Sequence, residues 1–403
     1  MSDGVPPAQA APRSARILEV FVAFLGLGLT SFGGPVAHLG YFRTAFVTRR
    51  EWLDETAYAD LVALCQFLPG PASSQVGIAI GHRRAGLPGA IVAWLGFTLP
   101  SVAVLYFATL GVALWRGPVF EGALHGLKLA ALAVVAQAVW LMALRLAPDW
   151  PRRLGALATA GLVLAVPFAQ MPVLAIAAAA LIGALAARPG PSERRTERPT
   201  PHPAALAALF AFALLLVALP LAARLAGLPA LDIVDRFYRT GALVFGGGHV
   251  VLPLLQNELV TPGLIDRDLF LAGYGAAQAV PGPLFSFAFY AGALLKSPPN
   301  GILGGVLALC AIYLPSFLLV LGGLPYWHRW NAVPRLRSAL DAANAAVVGI
   351  LLAALVTPVF TSAVFSLLDL VVALLALLAL SLRLPPWLVV TACGLLAALA
   401  SVL

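Results

Sequence analysis

The sequence predicts an all-α polytopic membrane protein with two inverted homologous halves, broken helices and about 13 transmembrane spans. Three observations lead to this fold class. Of the 403 residues, 61% are hydrophobic and only 10% are charged, apolar segments follow one another along the chain, and two long stretches repeat each other. Soluble proteins carry about 25% charged residues, so a soluble fold could not cover this much apolar surface.

Apolar segments of about 20 residues are long enough to cross the hydrocarbon core of a bilayer. The predicted spans are 17–37, 56–82, 86–115, 119–147, 154–169, 171–187, 204–228, 236–255, 268–295, 299–324, 336–357, 364–382 and 386–403. No cleavable leader precedes the first apolar run, so we expect that run to stay in the membrane.

The positive-inside rule orients these spans. With the N-terminus in the cytoplasm, 16 Arg and Lys residues fall inside and 8 outside. This orientation expects Arg84 and Arg267 inside, Arg43 and Arg50 outside, and the C-terminus in the periplasm. The organisation is then a first repeat at 1–187, a basic cytoplasmic linker plus inverting helix at 188–228, and a second repeat at 229–403.

The internal repeat rests on residues that are rare in apolar helices. Phe-Gly-Gly, Gln-x-x-Pro-Gly-Pro and Leu-Pro-Ser occur in this order in both halves, at offsets of 212 to 215 residues. They begin at Phe32, Gln66 and Leu99 in the first half and at Phe245, Gln278 and Leu314 in the second. Because one helix separates the halves, the second half is predicted to enter the membrane upside down, as in many transporters.

The Pro-Gly-Pro motifs are predicted to break their helices. Pro71 lacks an N–H group and clashes with the preceding turn, so we expect half-helices at 56–68 and 71–82. The second half-helix would offer free N–H groups and the polar side chains of Ser73, Ser74 and Gln75 to an oxyanion. The equivalent break is Pro281, Gly282 and Pro283. A packing kink is the alternative interpretation of both motifs.

The glycine motifs are predicted to interrupt the preceding spans. They comprise Gly33, Gly34 and Pro35 in the first half and Gly246, Gly247 and Gly248 in the second. Glycine permits an unwound segment or a close helix contact, and the sequence leaves both open. His38 follows the first motif and is a candidate for substrate or proton binding, with an interfacial polar role as the alternative.

Ionisable residues inside predicted spans are candidates for function. Lys128 lies about ten residues into its span, and Glu121 shares its helical face. Alignment of the repeats places Asp341 opposite Lys128, which suggests a charge pair between the halves, whereas Asp341 could also pair with Arg337. Asp60 and Glu121, together with His38, are proton-coupling candidates.

Several other classes of function are excluded. The net charge of +8 is scattered between apolar runs, which does not indicate nucleic-acid binding. The three cysteines have no metal-ligand spacing, and the glycine runs lack the context of a dinucleotide loop. No pairing of nucleophile and base suggests an enzyme. No metal or organic cofactor is expected, membrane lipid is the expected surroundings, and a homodimer is left open.

The motifs FGGPVAHLGYF at 32–42 and QFLPGPASSQVGIAIG at 66–81, with the degenerate copies VFGGGHVVLP at 244–253 and QAVPGP at 278–283, resemble the chromate ion transporter family. The resemblance covers nearly the whole chain and points to its long, two-domain members. It implies a bacterial inner-membrane exporter of chromate, driven by the proton motive force and conferring chromate resistance. The residues carried over from these motifs are Gly33, Gly34, Pro35, His38, Gln66, Pro69, Gly70, Pro71, Ser73, Ser74 and Gln75.

The substrate and the mode of transport stay open at this point. Chromate and sulfate are both tetrahedral dianions, and a site of N–H groups and hydroxyls does not easily distinguish them. An anion channel is an alternative to a carrier, since broken helices also line pores.

Overall fold

The computed structural model describes residues 12–114, 117–166, 168, 170–187, 202–245 and 247–402, and its secondary structure is entirely helical in these ranges. The helices of the first half are α1 (Arg13–Thr30), α2 (Gly34–Arg43), α3 (Glu55–Phe67), α4 (Ala72–Leu114), α5 (Pro118–Leu146), α6 (Trp150–Ala165) and α7 (Met171–Ala186). The helices that follow are α8 (Pro203–Ala226), α9 (Pro229–Leu243), α10 (Val251–Leu255), α11 (Arg267–Ala279), α12 (Phe287–Ala293), α13 (Gly301–Gly323), α14 (Trp327–Asn331), α15 (Pro334–Ala354), α16 (Thr361–Ala363), α17 (Leu367–Ser381) and α18 (Pro386–Ala400).

Five helical segments are long and apolar enough to cross a membrane. They are Ala72–Val112, Pro118–Leu146, Pro203–Ala226, Gly301–Asn331 and Pro334–Ala363. Four shorter apolar helices accompany them. Many large hydrophobic side chains are exposed on the outer helices, including Phe210 and Val217 on α8. This surface suits a bilayer and not water.

Helix α4 bends sharply after its first 13 residues. Ala85 and Gly86 depart from helical geometry, and Gly86 has a positive φ of 70° that favours glycine. The two arms then pack closely, since a Cβ atom on Gly81 would lie 2.3 Å from the Gly89 carbonyl oxygen. The first arm returns to the end of the bundle from which the second arm departs. The end that carries Arg13 and Gly86 is called the first end below, and the end that carries the start of α5 is called the second end.

Helices α1 and α2 form a hairpin that enters from the first end and returns to it. Phe24 of α1 stacks on Phe46, just beyond α2, at 4.8 Å between ring centroids. Trp52 then lies under the guanidinium group of Arg84, 5.0 Å from it, and Arg84 pairs with Glu19 of α1 at 2.8 Å. Residues 50–54 therefore lie at the same end as the start of α1.

Helix α3 and the first arm of α4 form a second hairpin from the first end. Helix α3 starts beside α2, where Arg43 pairs with Glu55 and the Tyr58 hydroxyl donates to the Leu39 carbonyl oxygen. The chain then turns at residues 68–71 and comes back along the first arm of α4. The predicted spans 17–37 and 56–82 are therefore wrong as single crossings, because each reaches the middle of the bundle and turns back.

The second half repeats this arrangement from the second end. Arg239 of α9 pairs with Glu258, which follows α10, at 3.0 Å. The Tyr290 hydroxyl of α12 donates to the Leu269 carbonyl oxygen of α11 at 3.1 Å. The predicted spans 236–255 and 268–295 are accordingly hairpins as well. Arg267 lies at the second end, where the start of α11 meets α5, and its predicted position is corrected.

Long helices at the centre relate the two halves. The second arm of α4 runs antiparallel to α13, because Trp94 contacts Phe317 at 5.7 Å between ring centroids whereas Tyr106 contacts Phe289, which packs on Gly305. Helix α5 packs along α18, and α15 packs along α6 and α7. Each half thus supplies two hairpins to the middle of the molecule. Each also supplies one long helix at the centre, which is α5 in the first half and α15 in the second.

The hairpin arrangement predicts which surface loops share a side of the membrane. In a cysteine-free background, Arg50→Cys should react with a membrane-impermeant maleimide only from the side that carries the start of α1. Asn300→Cys, in the turn between α12 and α13, is the matched control and should react only from the other side. The measurement is labelling in intact cells against everted vesicles. Labelling of both positions from one side would contradict the arrangement.

Candidate functional site

A cavity of about 330 Å³ lies between the two halves. It extends from Arg145 and Pro386, at the first end, to the hairpin tips in the middle of the bundle. The residues that line it include Gly33, Gly34, Pro35, Cys65, Gln66, Gly70, Ala72, Gln137, Arg145, Gly247, Gly248, His249, Gln278, Gly282 and Asn344.

All four chain breaks border this cavity. Gly70 and Gly282 mark the Pro-Gly-Pro breaks, and Gly33 and Gly247 mark the glycine breaks, each with a positive φ between 98° and 138°. Residues with a Cβ atom rarely adopt this conformation, so glycine is required at these tips. The repeated motifs, which lie far apart in sequence, are thereby brought to one place. Gly246 lies outside the described residues.

The breaks of the two halves hold each other through equivalent hydrogen bonds. The Gly70 N–H donates to the Val244 carbonyl oxygen at 2.6 Å, and the Gly282 N–H donates to the Ser31 carbonyl oxygen at 2.9 Å. Val244 and Ser31 are the residues directly before the two Phe-Gly-Gly motifs. Each Pro-Gly-Pro tip is therefore fixed by the glycine break of the other half, as expected for two halves related by a twofold axis.

The close contacts at these tips also join each Pro-Gly-Pro tip to the opposite half. A Cβ atom on Gly70 would lie 2.8 Å from the Ser316 hydroxyl oxygen, and one on Gly282 would lie 3.2 Å from that of Ser101. Ser101 and Ser316 end the two Leu-Pro-Ser motifs. The three repeated motifs therefore form one central structure, in which each Pro-Gly-Pro tip contacts the glycine break and the Leu-Pro-Ser motif of the other half.

The N-terminus of α4 faces the cavity at Ala72. The structure gives the N–H groups of Ala72, Ser73 and Ser74 no acceptor among the described residues, whereas the Gln75 N–H donates to the Pro71 carbonyl oxygen. Unpaired N–H groups at the start of a long helix carry partial positive charge. This end of the cavity therefore favours an anion.

The polar side chains of the cavity wall are mostly uncharged amides, each of which offers an NH2 donor and a carbonyl acceptor. Gln66 and Gln278, which are equivalent in the repeat, line it together with Gln137 and Asn344. The Gln278 Nε2 atom is buried without a partner among the described residues. Arg145 is the one charged residue among the described residues of the wall, which include no Asp or Glu. No acidic group lies within 4 Å of Arg145 in the described part of the chain.

Comparison with known proteins identifies the family. The family model described as "Chromate transporter" matches residues 18–184 and, a second time, residues 231–398. Together the two matches cover most of the sequence. The chain belongs to the chromate transporter family. It is therefore a multi-pass membrane transporter and not an enzyme.

Three curated relatives resemble this chromate transporter family member along most of its length. It is 27% identical to the chromate transport protein of Pseudomonas aeruginosa over 379 residues, which cover 87% of this chain and 81% of the relative. It is 26% identical to that of Cupriavidus metallidurans, with 91% and 87% covered. It is 25% identical to a probable chromate transport protein of Synechococcus elongatus, with 83% and 82% covered. No solved structure matches.

Three polar side chains predicted to bind substrate in this transporter face protein groups. The Ser73 hydroxyl lies 3.4 Å from His38 Nδ1, the Ser74 hydroxyl lies 3.4 Å from the Tyr313 hydroxyl, and Gln75 Nε2 donates to the Pro69 carbonyl oxygen at 2.7 Å. None of the three lines the cavity. These bonds stabilise the break, and direct contact of the three side chains with an anion stays a prediction.

His38 is buried beside the first glycine break. Its Nε2 atom lies 3.2 Å from the Ser31 carbonyl oxygen, the same atom that accepts from Gly282. It does not line the cavity. In this position His38 contacts the backbone of the glycine break and is not part of the cavity wall.

Lys128 does not pair with Asp341, which corrects the expected contact. Its Nζ atom lies 3.1 Å from an Asp268 carboxylate oxygen at the start of α11. Asp341 pairs with Arg152 of α6 at 2.8 Å, and not with Arg337. Lys128 and Asp341 occupy equivalent positions of the sequence repeat, but the structure places them at opposite ends of the bundle, so they cannot meet.

The remaining proton-coupling candidates lie away from the cavity. Asp60 is half-buried on α3, and Glu121 is exposed in the first turn of α5. Their role stays a prediction. Among the described residues, no group of three or more His, Cys, Asp or Glu side chains could hold a metal ion.

The sequence analysis did not select Arg145, Gln137, Asn344 or His249 as site residues. Arg145 lies at the end of its helix and resembles an ordinary positive-inside residue. A weak signal exists for Gln137 and Asn344, which are isolated amide residues in apolar helices. Only the packing of α5 against α15 and the hairpin tips brings them to one cavity.

The close packing around Gly70 predicts that adding one methyl group there lowers the stability of the protein. Gly70→Ala would place a Cβ atom 2.5 Å from Gln75 Nε2, at a φ of 125°. We expect a loss of about 1–3 kcal/mol of stability, measured as thermal unfolding of the purified protein in detergent. Gly26→Ala is the control, because no atom lies within 4 Å of its Cβ position and alanine favours a helix. Equal melting temperatures for the two variants would contradict the expected strain.

Proposed function

We propose that this protein exports chromate, or a closely related tetrahedral oxyanion, across the bacterial inner membrane and thereby confers chromate resistance. The observation that carries the proposal is the cavity wall, whose described residues supply amide donors and Arg145 but no carboxylate. A cavity of this composition favours anions and disfavours cations. The family and the relatives named for chromate transport supply the chemical identity of the anion.

The oxyanion would bind between the hairpin tips. Ala72 at the start of α4, Gln66 and Gln278 all line the cavity, and they come from both halves. N–H donors without a carboxylate nearby suit oxygen atoms that carry negative charge. Sulfate has the same shape and charge, so sulfate transport is the alternative outcome of the test below.

The arrangement in the membrane follows from the hairpins. In the described part of the chain, nine helices run from end to end, namely the second arm of α4, α5, α6, α7, α8, α13, α15, α17 and α18, and four hairpins reach the middle. The first half sends its hairpins in from the first end and the second half from the second end. This supports two inverted repeats, at 1–187 and 229–403, joined through 188–228, and the two separate family matches support the same division.

The distribution of positive charge supports a cytoplasmic first end. The described cationic residues at the first end are Arg13, Arg16, Arg43, Arg49, Arg50, Arg83, Arg84, Arg145, Arg152, Arg153, Arg329, Arg335, Arg337 and Arg383. Those at the second end are Arg224, Arg236, Arg239, Arg267 and Lys296, together with the buried Lys128. The excess of positive charge at one end is larger in this arrangement than in a topology of thirteen single crossings. With the first end in the cytoplasm, the cavity would be open to the cytoplasm.

Two side-chain contacts, one of them an ion pair, tie the halves together at the second end. Lys128 is buried and pairs with Asp268, and His125, one helical turn before it, lies 2.6 Å from Asp369 at the start of α17. Phe365 packs between them, stacked on His125 and 5.6 Å from the Lys128 ammonium. We propose that these contacts close the periplasmic end while the cavity faces the cytoplasm.

Comparison of the two repeats supports a closure at the second end only. The positions equivalent to Lys128 and Asp268 are Asp341 and Thr56, and Asp341 pairs with Arg152 instead of with α3. The first end therefore lacks the corresponding tie between its central helix and its hairpin. Breaking the ties at the second end while closing the first would give alternating access, which distinguishes a carrier from an open anion channel.

The membrane potential by itself can drive export. Moving one charge across 100 mV yields about 2.3 kcal/mol, so a dianion leaving a negative interior gains about twice that amount. The electrical part of the proton motive force therefore has the sign that drives a dianion out of the cell. The test is flux of radiolabelled chromate and sulfate in everted vesicles, with the electrical and pH gradients imposed separately. Flux that does not saturate and ignores both gradients would indicate a channel.

Arg145 gives a specific prediction about anion binding. Arg145→Gln removes the positive charge of the cavity mouth, and a charge-assisted contact contributes about 1.5–3 kcal/mol, so apparent chromate affinity should fall about tenfold or more. Arg153→Gln is the control at the same end, because Arg153 donates to the carbonyl oxygens of Ala147 and Pro148 outside the cavity. The concentration dependence of transport measures both. Equal affinities would exclude Arg145 from the site.

The ties at the second end give another prediction. Lys128→Met leaves Asp268 unpaired and should abolish net transport while opening the second end. In that background, a cysteine at Ala277 in the cavity wall should react with an impermeant reagent from the periplasm, whereas in the parent it should react only from the cytoplasm. Arg43→Met breaks an exposed pair at the first end and is the control. Unchanged accessibility and normal transport in Lys128→Met would show that the pair closes nothing.

A further inference from the structure

His249 presents one ring nitrogen to the cavity and the other to a buried tyrosine. It follows the second glycine break, and its Nδ1 atom lies 2.9 Å from the Tyr274 hydroxyl. Tyr274 is completely buried on α11. His249 itself is only half-buried, although Gly248 and Val250 on either side of it are buried. Because His249 lines the cavity, its exposed part faces the cavity.

Tyr274 determines which tautomer the His249 imidazole adopts. A buried hydroxyl group is nearly always hydrogen-bonded, and the Tyr274 hydroxyl has two side-chain neighbours, His249 Nδ1 at 2.9 Å and the amide group of Gln278, which acts on it as a donor. The Tyr274 O–H group therefore donates to Nδ1. A neutral imidazole that accepts at Nδ1 carries its hydrogen on Nε2. The structure gives Nε2 no protein partner among the described residues, so its N–H group is free for a ligand.

We propose that His249 is a ligand of the transported oxyanion, which it binds as a neutral donor through Nε2, and that Tyr274 is the positioning residue that holds it in this form. The inference rests on the proposed function, since it assigns a further ligand within the same cavity. His249 follows the glycine break of the second half, whereas Ala72 follows the Pro-Gly-Pro break of the first. The anion is then bound by both halves at once.

The surroundings of the ring agree with a neutral donor. The titratable groups that face the cavity from the packed elements are Arg145 on α5 and Cys65 on α3, with Tyr274 behind the ring, and α15 contributes the uncharged Asn344. No carboxylate in the described wall competes for the Nε2 hydrogen or favours an imidazolium ion. A neutral ligand takes up no proton when the anion binds, so the bound anion keeps its full charge during transport.

The experiment measures binding of radiolabelled chromate and sulfate to the purified full chain in detergent. Removing a donor to a charged ligand should weaken affinity about tenfold to a hundredfold, so we expect this loss in His249→Leu. His249→Gln retains an N–H donor and should recover part of the affinity. His328→Leu, an exposed histidine at the first end, is the control and should bind like the parent.

Tyrosine variants test the positioning role separately. Tyr274→Phe frees Nδ1, so a fraction of the rings carries its hydrogen there, and affinity should fall several-fold with maximal transport rate retained. Tyr290→Phe removes a comparable buried hydrogen bond from the same hairpin, to the Leu269 carbonyl oxygen, and should leave affinity unchanged. Equal affinities of the two tyrosine variants would overturn the role of Tyr274.

The pH dependence separates the two protonation forms. Sulfate keeps its two charges between about pH 6 and pH 8, where an ordinary histidine titrates. A neutral donor predicts that the affinity ratio of parent to His249→Leu is constant over this range. A ratio that rises as the pH falls would show an imidazolium ligand and overturn the neutral form, and a ratio of one at every pH would overturn His249 as a ligand. If the parent binds neither anion, the proposed function itself fails.

Discussion

Each of the four described chain breaks interrupts the helical hydrogen bonding in the middle of an apolar bundle, where the freed backbone donors and acceptors need partners. An unsatisfied group of this kind costs several kcal/mol in a bilayer. The molecule meets this constraint by pairing each Pro-Gly-Pro tip with the glycine break of the opposite half, through Gly70 to Val244 and Gly282 to Ser31. Neither half can complete its own breaks, so the central structure forms only when both are present.

The same constraint explains where the polar side chains lie. Ser73, Ser74 and Gln75 follow the first break. Each of these side chains forms a hydrogen bond with a neighbouring protein group and does not face the cavity. The second half replaces Ser73 and Gln75 with Phe285 and Phe287, both fully buried. The first break is therefore stabilised by hydrogen bonds, whereas the second relies more on aromatic packing. What remains for a ligand is the backbone, the amide side chains and Arg145.

The two ends of the bundle differ in the contacts that hold them together. Two related halves give two equivalent sets of contacts, but the residues that close them have diverged. Lys128 and His125 each meet a carboxylate at the second end, while Asp341 at the first end turns to Arg152 on its own side. A molecule with a nearly symmetric centre thus has asymmetric ends, and the cavity opens at the end without the tie. This combination is what alternating access requires of a carrier.

The sequence by itself determined the apolar, helical character of the chain, its repeat and the positions of its breaks. Composition, glycine and proline act locally, so α3 ends at Phe67 and α4 begins at Ala72, close to the predicted half-helices. The sequence did not distinguish a hairpin from a crossing, because two half-helices that turn back have the same length and hydrophobicity as one broken span. Contacts such as Trp52 with Arg84 decided this point. The partners of Lys128 and the cavity position of Arg145 were likewise decided by tertiary structure, since they depend on helices distant in sequence that packing alone brings together.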